Sequence, residues 1–115
     1  MNRYNWTTIP VEKLTPLLTR QMLHTEAKTI ARLTLAKGAL VPMHSHINEQ
    51  VTWLVSGKLR FEMEGRDVFL EAGDVLVIPP NVPHLVETLE DSVATDIFTP
   101  ARADWISGDD AYLRK

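Results

Sequence analysis

The sequence has 115 residues, contains no cysteine and carries no excess of basic residues. Without thiols the chain can form no disulfide or iron–sulfur cluster, so a metal ion would have to be held by histidine, amide or carboxylate side chains. The net charge of -3 does not match the basic surface that phosphate recognition requires. No segment approaches the roughly 18 apolar residues that cross a bilayer, and the polar N-terminal segment does not resemble a signal peptide. We therefore expect a cytoplasmic protein with neither nucleic acid nor membrane as a partner.

Short alternating segments, separated by turn residues, dominate the chain. Residues 59–63 place apolar side chains on one face of a predicted strand and charged side chains on the other. The pair Ser56-Gly57 has the composition of a turn. The proline-rich stretch 79–83 cannot form a strand interior, because proline lacks the N–H that a sheet requires. Many short strands at regular spacing predict an all-β sandwich or closed antiparallel barrel.

The length and the absence of a linker predict a single domain over residues 1–115. We divide it into an N-terminal arm (1–20), a barrel core (29–98) and a C-terminal tail (101–115). The tail is polar and more helical in composition. We expect it to form a short helical turn that packs back on the barrel through Trp105 and Leu113.

The stretch PMHSHINEQ places two of the four histidines one residue apart. In a strand, residues i and i+2 point to the same face, so His44 and His46 can reach one ion. The same parity brings Gln50 to their face and Glu49 to the opposite one, unless a bulge intervenes. His84 follows the proline-rich turn, where a returning strand would bring it beside the pair. An isolated HxH pair is more often a surface feature than a metal site, so the fuller pattern has to decide between these readings.

That fuller pattern has two parts, and each begins with a glycine. Five residues separate Gly38 from the HxH pair, and five residues separate Gly73 from Pro79. Together the two segments resemble the two motifs of the cupin superfamily, which are small antiparallel β-barrels, or jelly rolls, with a metal ion in the mouth. The resemblance implies that His44, His46, Gln50 and His84 hold the metal. Asn81 stands where these motifs usually carry a glycine, and asparagine tolerates the same left-handed backbone.

Gln50 stands where the cupin motif usually carries a glutamate. Three imidazoles and an amide are all neutral, so a divalent ion bound by them keeps its full charge and attracts anionic ligands. This donor set favours non-redox chemistry on a carboxylate- or enolate-bearing substrate. It accepts one divalent ion, and Zn, Ni, Mn and Fe are all compatible with it.

Near the C-terminus, the segment TDIFTPAR contains an acid, an aromatic residue and an arginine at i, i+2 and i+6. On a strand Asp96 and Phe98 share a face, and Arg102 lies just beyond it. Spacing alone leaves two interpretations open. These residues belong to the site, or Phe98 is a core residue and Asp96 pairs with Arg102 at the surface.

The combination HxHxxEQ, PxxxPH and DxFxPxR resembles single-domain cupins of the KdgF type, which are associated with pectin and alginate breakdown. The resemblance extends from about Arg20 to Trp105. It implies conversion of 4,5-unsaturated monouronates, which are sugar acids, to the linear keto form, with Gln50 as an expected metal ligand. Asp96 would then transfer a proton, Arg102 would hold the substrate carboxylate in a two-pronged hydrogen bond, and Phe98 would limit water and fix the pose of the sugar.

Two other functions remain open from the sequence: a metal-dependent dioxygenase, and a non-catalytic module that binds a small molecule. The segment Val51–Val55 is apolar on both faces, so its outer face needs a cover. Cupins of this size often dimerise through such a face, and we therefore expect a homodimer.

Overall fold

Antiparallel β-strands make up most of the structure, a computed structural model that describes residues 1–115. The strands are β1 (Glu12–Thr15), β2 (Leu18–His24), β3 (Thr29–Leu35), β4 (Leu40–His44), β5 (Glu49–Met63), β6 (Arg66–Glu71), β7 (Val75–Ile78) and β8 (His84–Thr99). A short helix α1 (Ala103–Ile106) and 3₁₀ turns at Trp6–Thr8 and Ala111–Arg114 complete the chain. No helix has both the length and the apolar character needed to cross a membrane. The predicted all-β fold with a short helical tail is confirmed.

The two long strands, β5 and β8, belong to both faces of a barrel. The first half of β5 pairs with β7 and with the second half of β8, which also pairs with β3. The second half of β5 pairs with β6 and with the first half of β8, which also pairs with β4. Two sheets therefore share the same pair of strands, and a cavity lies between them.

The chain turns from one sheet to the other at an irregular stretch of β5. The register between β5 and β8 shifts between Leu54 and Leu59, and Gly57 has a φ of +93°. The pair Ser56-Gly57 is therefore a bulge inside one continuous strand, and its interpretation as a turn between two strands was wrong. Such bulges bend a strand and increase its twist, as closing a barrel requires.

The strand pattern also missed β1 and β2, which lie before residue 29 and extend the sheet beyond β3. The inward residue at the centre of β2 is Arg20, which is only 1% exposed. Its guanidinium donates to the carboxylate of Asp110 at 2.7 Å and lies 4.7 Å from the centre of the Trp105 ring. A buried charge is tolerated only when it is paired in this way. The pair therefore fastens the C-terminal tail to β2.

The apolar core fills the space between the sheets, and the tail contributes to it. Trp105 and Leu113 are both 6% exposed and belong to the same cluster as the strand residues. The tail thus packs on the barrel through the two residues that the sequence indicated. The tail closes one end of the cavity, and the candidate metal ligands lie at that same end.

We predict that Gly57→Ala destabilises the protein more than Gly73→Ala. Both glycines have φ near +94°, so each substitution costs about 1 kcal/mol in backbone strain. A Cβ at Gly57 would also meet Asp91 O and the Ser92 side chain and lie 2.7 Å from Ser92 Cα, whereas a Cβ at Gly73 meets nothing within 4 Å. We expect an additional loss of about 1–3 kcal/mol for Gly57→Ala, measured by urea unfolding. Equal losses in the two variants would contradict the close approach of β5 and β8.

Candidate metal centre

Three histidines meet where β4 ends and β8 begins. His44 and His84 are cross-strand partners, and His46 lies in the bend that follows β4. One ring nitrogen from each of the three lies within 4.8 Å of the other two. This cluster, referred to below as the histidine cluster, can hold a metal ion.

Backbone carbonyls fix the orientation of all three rings. The Nδ1 atoms of His44, His46 and His84 lie 2.7, 3.0 and 2.9 Å from the carbonyl oxygens of Pro42, Asn48 and Val82. A carbonyl only accepts, so each Nδ1 carries the proton and each Nε2 presents a lone pair. Such outer hydrogen bonds are typical of histidines that bind metals.

Two further observations fit a cation among these nitrogens. The Nε2 atom of His84 is buried without a hydrogen-bond partner, which is rare for a buried polar atom. The Nε2 atom of His46 lies 3.0 Å from Oε1 of Gln50, although both atoms carry lone pairs. A metal ion bound to both atoms would remove the repulsion between their lone pairs.

The three histidines of the cluster are neutral near pH 7. Burial lowers the pKa of both His44 and His46 to about 4, and the charge of Arg102 also lowers the pKa of His46. Burial likewise lowers the pKa of His84. Neutral imidazole is the metal-binding form, so protons do not compete for the cluster near neutral pH.

Position 50 faces the cluster and position 49 does not. Gln50 is 5% exposed and lines the cavity, whereas Glu49 is exposed. Both belong to β5, so adjacent residues point to opposite faces. The parity argument from the sequence therefore selects Gln50 as the fourth candidate ligand.

Asp96 lies deeper in the same cavity. It is the cross-strand partner of Thr52, whose hydroxyl donates to Asp96 Oδ1 at 2.7 Å. Burial raises the pKa of Asp96 to about 6, although the Thr52 hydrogen bond and the charge of Arg102 act in the opposite direction. A carboxyl group with a pKa in this range can both accept and release a proton near neutral pH.

Arg102 is also buried, and its side chain is held on several sides. Its Nε and Nη2 atoms donate to the two carboxylate oxygens of Asp104 at 2.9 and 2.7 Å, and Nη2 also donates to the hydroxyl of Tyr112 at 2.9 Å. The guanidinium packs against the rings of both Phe98 and Trp105, with its central carbon 4.7 and 4.1 Å from their centres. The forked edge of Arg102 is thus already used. The two-pronged hydrogen bond that the resemblance assigns to the substrate carboxylate is therefore made with Asp104. Of the guanidinium nitrogens, Nη1 is left to meet an anion in the cavity.

Phe98 is 1% exposed and supports other site residues. Its ring meets the ring of His46 edge-on, with centroids 5.5 Å apart, and it packs on Trp105 at 5.0 Å. The structure therefore brings Asp96, Phe98 and Arg102 into the same cavity as the histidine cluster. The alternative interpretation is right that Phe98 belongs to the core cluster, but it is wrong that Asp96 and Arg102 pair at the surface, because both are buried.

Three residues in or beside this cavity were not predicted from the sequence: Thr52, Asp104 and Tyr112. The ring of Tyr112 packs 4.6 Å from that of His44, and its hydroxyl accepts hydrogen bonds from Arg102 and from Trp105 Nε1, the latter at 3.2 Å. The parity of β5 could have revealed Thr52, because it shares a face with Gln50. No local pattern could have revealed Tyr112, since its position depends on how the tail folds back.

A comparison with known protein families matches residues 31–98 to the cupin domain. The chain belongs to the cupin family. The matched segment includes both halves of the histidine cluster and ends at Phe98. The predicted membership of the cupin superfamily is thus confirmed.

Two curated proteins match part of the chain in sequence. The chain is 37% identical over 73 residues to the pectin degradation protein KdgF of Dickeya dadantii. The aligned segment covers 62% of this chain and 66% of that protein. It is 32% identical over 72 residues to an oxalate-binding protein of Thermotoga maritima, which covers 62% of this chain and 60% of that protein. The matched segments thus span less than two thirds of the length of these relatives.

Among solved structures, KdgF from Halomonas sp. superposes with a TM-score of 0.84 at 27% sequence identity, covering 90% of this chain and 99% of that one. The shared fold therefore extends beyond the segment that matches in sequence. The resemblance to KdgF-type cupins inferred from the motifs is confirmed.

The raised pKa of Asp96 predicts that the contribution of this residue to the free energy of unfolding of the metal-free protein falls as the pH rises, whereas the lowered pKa values of the three histidines act in the opposite direction. Folded Asp96 binds its proton more tightly than the unfolded chain does, because its pKa rises from 3.8 to about 6. Its contribution is fully favourable below about pH 4 and is lost by about pH 6. Asp96→Asn, which stays neutral, should therefore be more stable than wild type above pH 6, by about 3 kcal/mol at most.

This prediction can be checked by urea unfolding of both proteins from pH 4 to pH 8 in the presence of a chelator. Asp109→Asn is the matched control, because Asp109 is exposed and the substitution removes the same charge. A difference between Asp96→Asn and wild type that does not change with pH would contradict the assignment.

Proposed function

We propose that this cupin is a metal-dependent enzyme that converts 4,5-unsaturated monouronates to linear keto-deoxyuronates. The observation that carries the proposal is the neutral donor set of the histidine cluster and Gln50, which shares one cavity with a buried acid, Asp96, and a buried guanidinium, Arg102. The relatives named for pectin degradation support this substrate class.

The reaction is an isomerisation that gains and loses no atoms. The ring opens when the hemiacetal oxygen loses its proton and the bond from the anomeric carbon to the ring oxygen breaks, which leaves an aldehyde and an enol. The enol then becomes a ketone when its oxygen loses a proton and the adjacent carbon gains one. A single group that accepts a proton from oxygen and delivers one to carbon can serve the second step.

Asp96 has the properties that this proton transfer requires. It is 5% exposed, its pKa is raised to about 6, and its second oxygen is not engaged by Thr52. Arg102 Nη1 would bind the substrate carboxylate, while Asp104 and Tyr112 hold the rest of the guanidinium in place. A buried guanidinium contributes more to binding an anion than one in water.

His44, His46, Gln50 and His84 would hold one divalent ion, and Zn, Ni, Mn and Fe all suit these ligands. When bound, the ion supplies a Lewis acid for the oxyanion that develops on the substrate. The protein fixes the ligands before the ion arrives, through the carbonyl hydrogen bonds to the three Nδ1 atoms.

We expect the metal-loaded protein to accelerate the loss of ultraviolet absorbance of an unsaturated monouronate. Asp96→Ala should lower kcat by about 10²–10⁴-fold, because general acid–base catalysis is lost. Gln50→Ala should lower activity at limiting metal concentrations, because it removes a proposed ligand. Asp109→Asn serves as the control for a removed carboxylate and should retain the wild-type rate. A rate equal to the spontaneous one, with metal bound, would overturn the proposal.

A second candidate is binding of a small dicarboxylate without turnover. The relative named as an oxalate-binding protein favours it, and a divalent ion beside Arg102 would attract such an anion. Metal-dependent binding of oxalate, without any acceleration of the uronate reaction, would favour this candidate. Consumption of O₂ on addition of iron and substrate would favour the dioxygenase instead.

We also propose that a second copy of the chain covers the outer face of the sheet around β5. The cross-strand partners Leu23, Ile30, Ile97, Val51 and Val77 form one apolar row across five strands. The N-terminal arm lies over the Leu23 and Ile30 end of this row. The other end, at Val77, stays uncovered. Val77 and the neighbouring cross-strand pair Trp53 and Val75 are 55%, 49% and 59% exposed. Apolar patches of this kind commonly mark interfaces.

Trp53→Lys should shift the protein from dimer to monomer in sedimentation velocity. A central aromatic side chain at an interface commonly contributes about 2 kcal/mol or more, or roughly a 30-fold change in the dissociation constant. Leu40→Lys is the control, since Leu40 is 55% exposed on β4, outside the row. A wild-type protein that sediments as a monomer at every concentration would contradict the dimer.

A further inference from the structure

A row of three buried, hydrogen-bonded polar side chains begins beside the histidine cluster and ends at Asp96. Gln50 Nε2 donates to Thr52 Oγ1 at 2.9 Å, and Thr52 Oγ1 donates to Asp96 Oδ1 at 2.7 Å. All three residues are at most 5% exposed. The register explains the arrangement, because Gln50 and Thr52 share a face of β5 and Thr52 is paired with Asp96 across to β8.

The direction of these hydrogen bonds is determined by the middle residue. An ionised carboxylate only accepts, so the single hydroxyl proton of Thr52 goes to Asp96. The oxygen of Thr52 then has only lone pairs left, and it must receive an N–H from Gln50. The amide of Gln50 is therefore oriented with its oxygen towards Nε2 of His46, at 3.0 Å.

We propose that Thr52 is a positioning residue that orients Gln50 as a metal ligand and holds Asp96 in place for proton transfer. The inference rests on the proposed metal site and deepens the proposed function. Without the hydroxyl, the amide could rotate and present its NH₂ group to the metal, which cannot bind it. The effect on metal binding would be transmitted entirely through Gln50.

Thr52→Val tests the proposal, because valine keeps the shape of threonine and removes the hydroxyl. We expect its affinity for Zn²⁺, measured by competition with a chelator, to fall by about 10–100-fold, as is typical for loss of an outer partner of a ligand. Thr52→Ser restores the hydroxyl and should restore the affinity. An affinity of Thr52→Val equal to that of wild type would overturn the proposal.

Thr88→Val provides a matched control. Thr88 is 2% exposed, and its hydroxyl is buried without a hydrogen-bond partner, so this variant loses a core hydroxyl that holds no ligand. We expect Thr88→Val to bind Zn²⁺ as wild type does. Equal losses of affinity in Thr88→Val and Thr52→Val would attribute the effect to general packing and overturn the proposal.

A double-mutant cycle separates positioning from a general structural effect. If Thr52 acts through Gln50, Thr52→Val should cause no further loss of Zn²⁺ affinity in a Gln50→Ala background. The same loss in both backgrounds would overturn the proposal. Thr52→Ala can replace Thr52→Val in every arm if the valine variant does not fold.

The zinc measurements need no substrate, so they decide the role of Thr52 even if the wild-type protein does not act on uronates. If the wild type is active, Thr52→Val saturated with Zn²⁺ should show a lower kcat with a smaller change in KM, because Asp96 loses its partner while Arg102 does not. An unchanged kcat at saturating metal would overturn the part of the proposal that concerns Asp96.

Discussion

The hydrogen bonds between the histidine Nδ1 atoms and backbone carbonyls are the constraint on which the site depends. Each one decides which ring nitrogen carries the proton, and all three decide that the Nε2 atoms face the cavity. The carbonyls belong to residues two positions before or after each histidine, so the local backbone sets the ring orientation. Because the barrel buries this arrangement, the rings stay neutral, and the cluster is ready for a metal ion without rearrangement.

The cavity separates opposite charges by surrounding each with its own partners. Arg102 is neutralised by Asp104 and packs against two aromatic rings, so its charge need not be balanced by Asp96. Asp96 keeps only the hydroxyl of Thr52 as a direct partner, and burial then raises its pKa. A direct ion pair between the two would have lowered that pKa. The placement of Asp104 therefore matters for the acid as well as for the arginine.

Local patterns in the sequence predicted the parts of the site that lie close together in the chain. The HxH spacing, the proline-rich turn before His84 and the parity of Gln50 depend only on neighbouring residues, and the left-handed backbone of Asn81, with φ +65°, agrees with its place in the second motif. Long-range pairing was not predictable in the same way. Ser56-Gly57 has the composition of a turn, and only its pairing with β8 makes it a bulge.

Strand β2 was missed for a related reason, because its central inward residue is a charged arginine. The burial of Arg20 depends on Asp110, which lies 90 positions later in the chain. Tyr112 reaches the site by the same docking of the tail. In each case the decisive partner is distant in sequence, and no local pattern carries that information.

The buried row Gln50–Thr52–Asp96 also restricts how this site could evolve. Glutamine and glutamate differ only by an NH₂ group in place of an oxygen, yet a carboxylate at position 50 would have no N–H to offer Thr52. Two carboxylates would then compete for a single hydroxyl proton, and one of them would be buried without a partner, at a cost of about 1–3 kcal/mol or more. A lineage could therefore exchange the amide for an acid only by changing position 52 or 96 as well. Positions 50 and 96 are thus coupled through the single hydroxyl of Thr52.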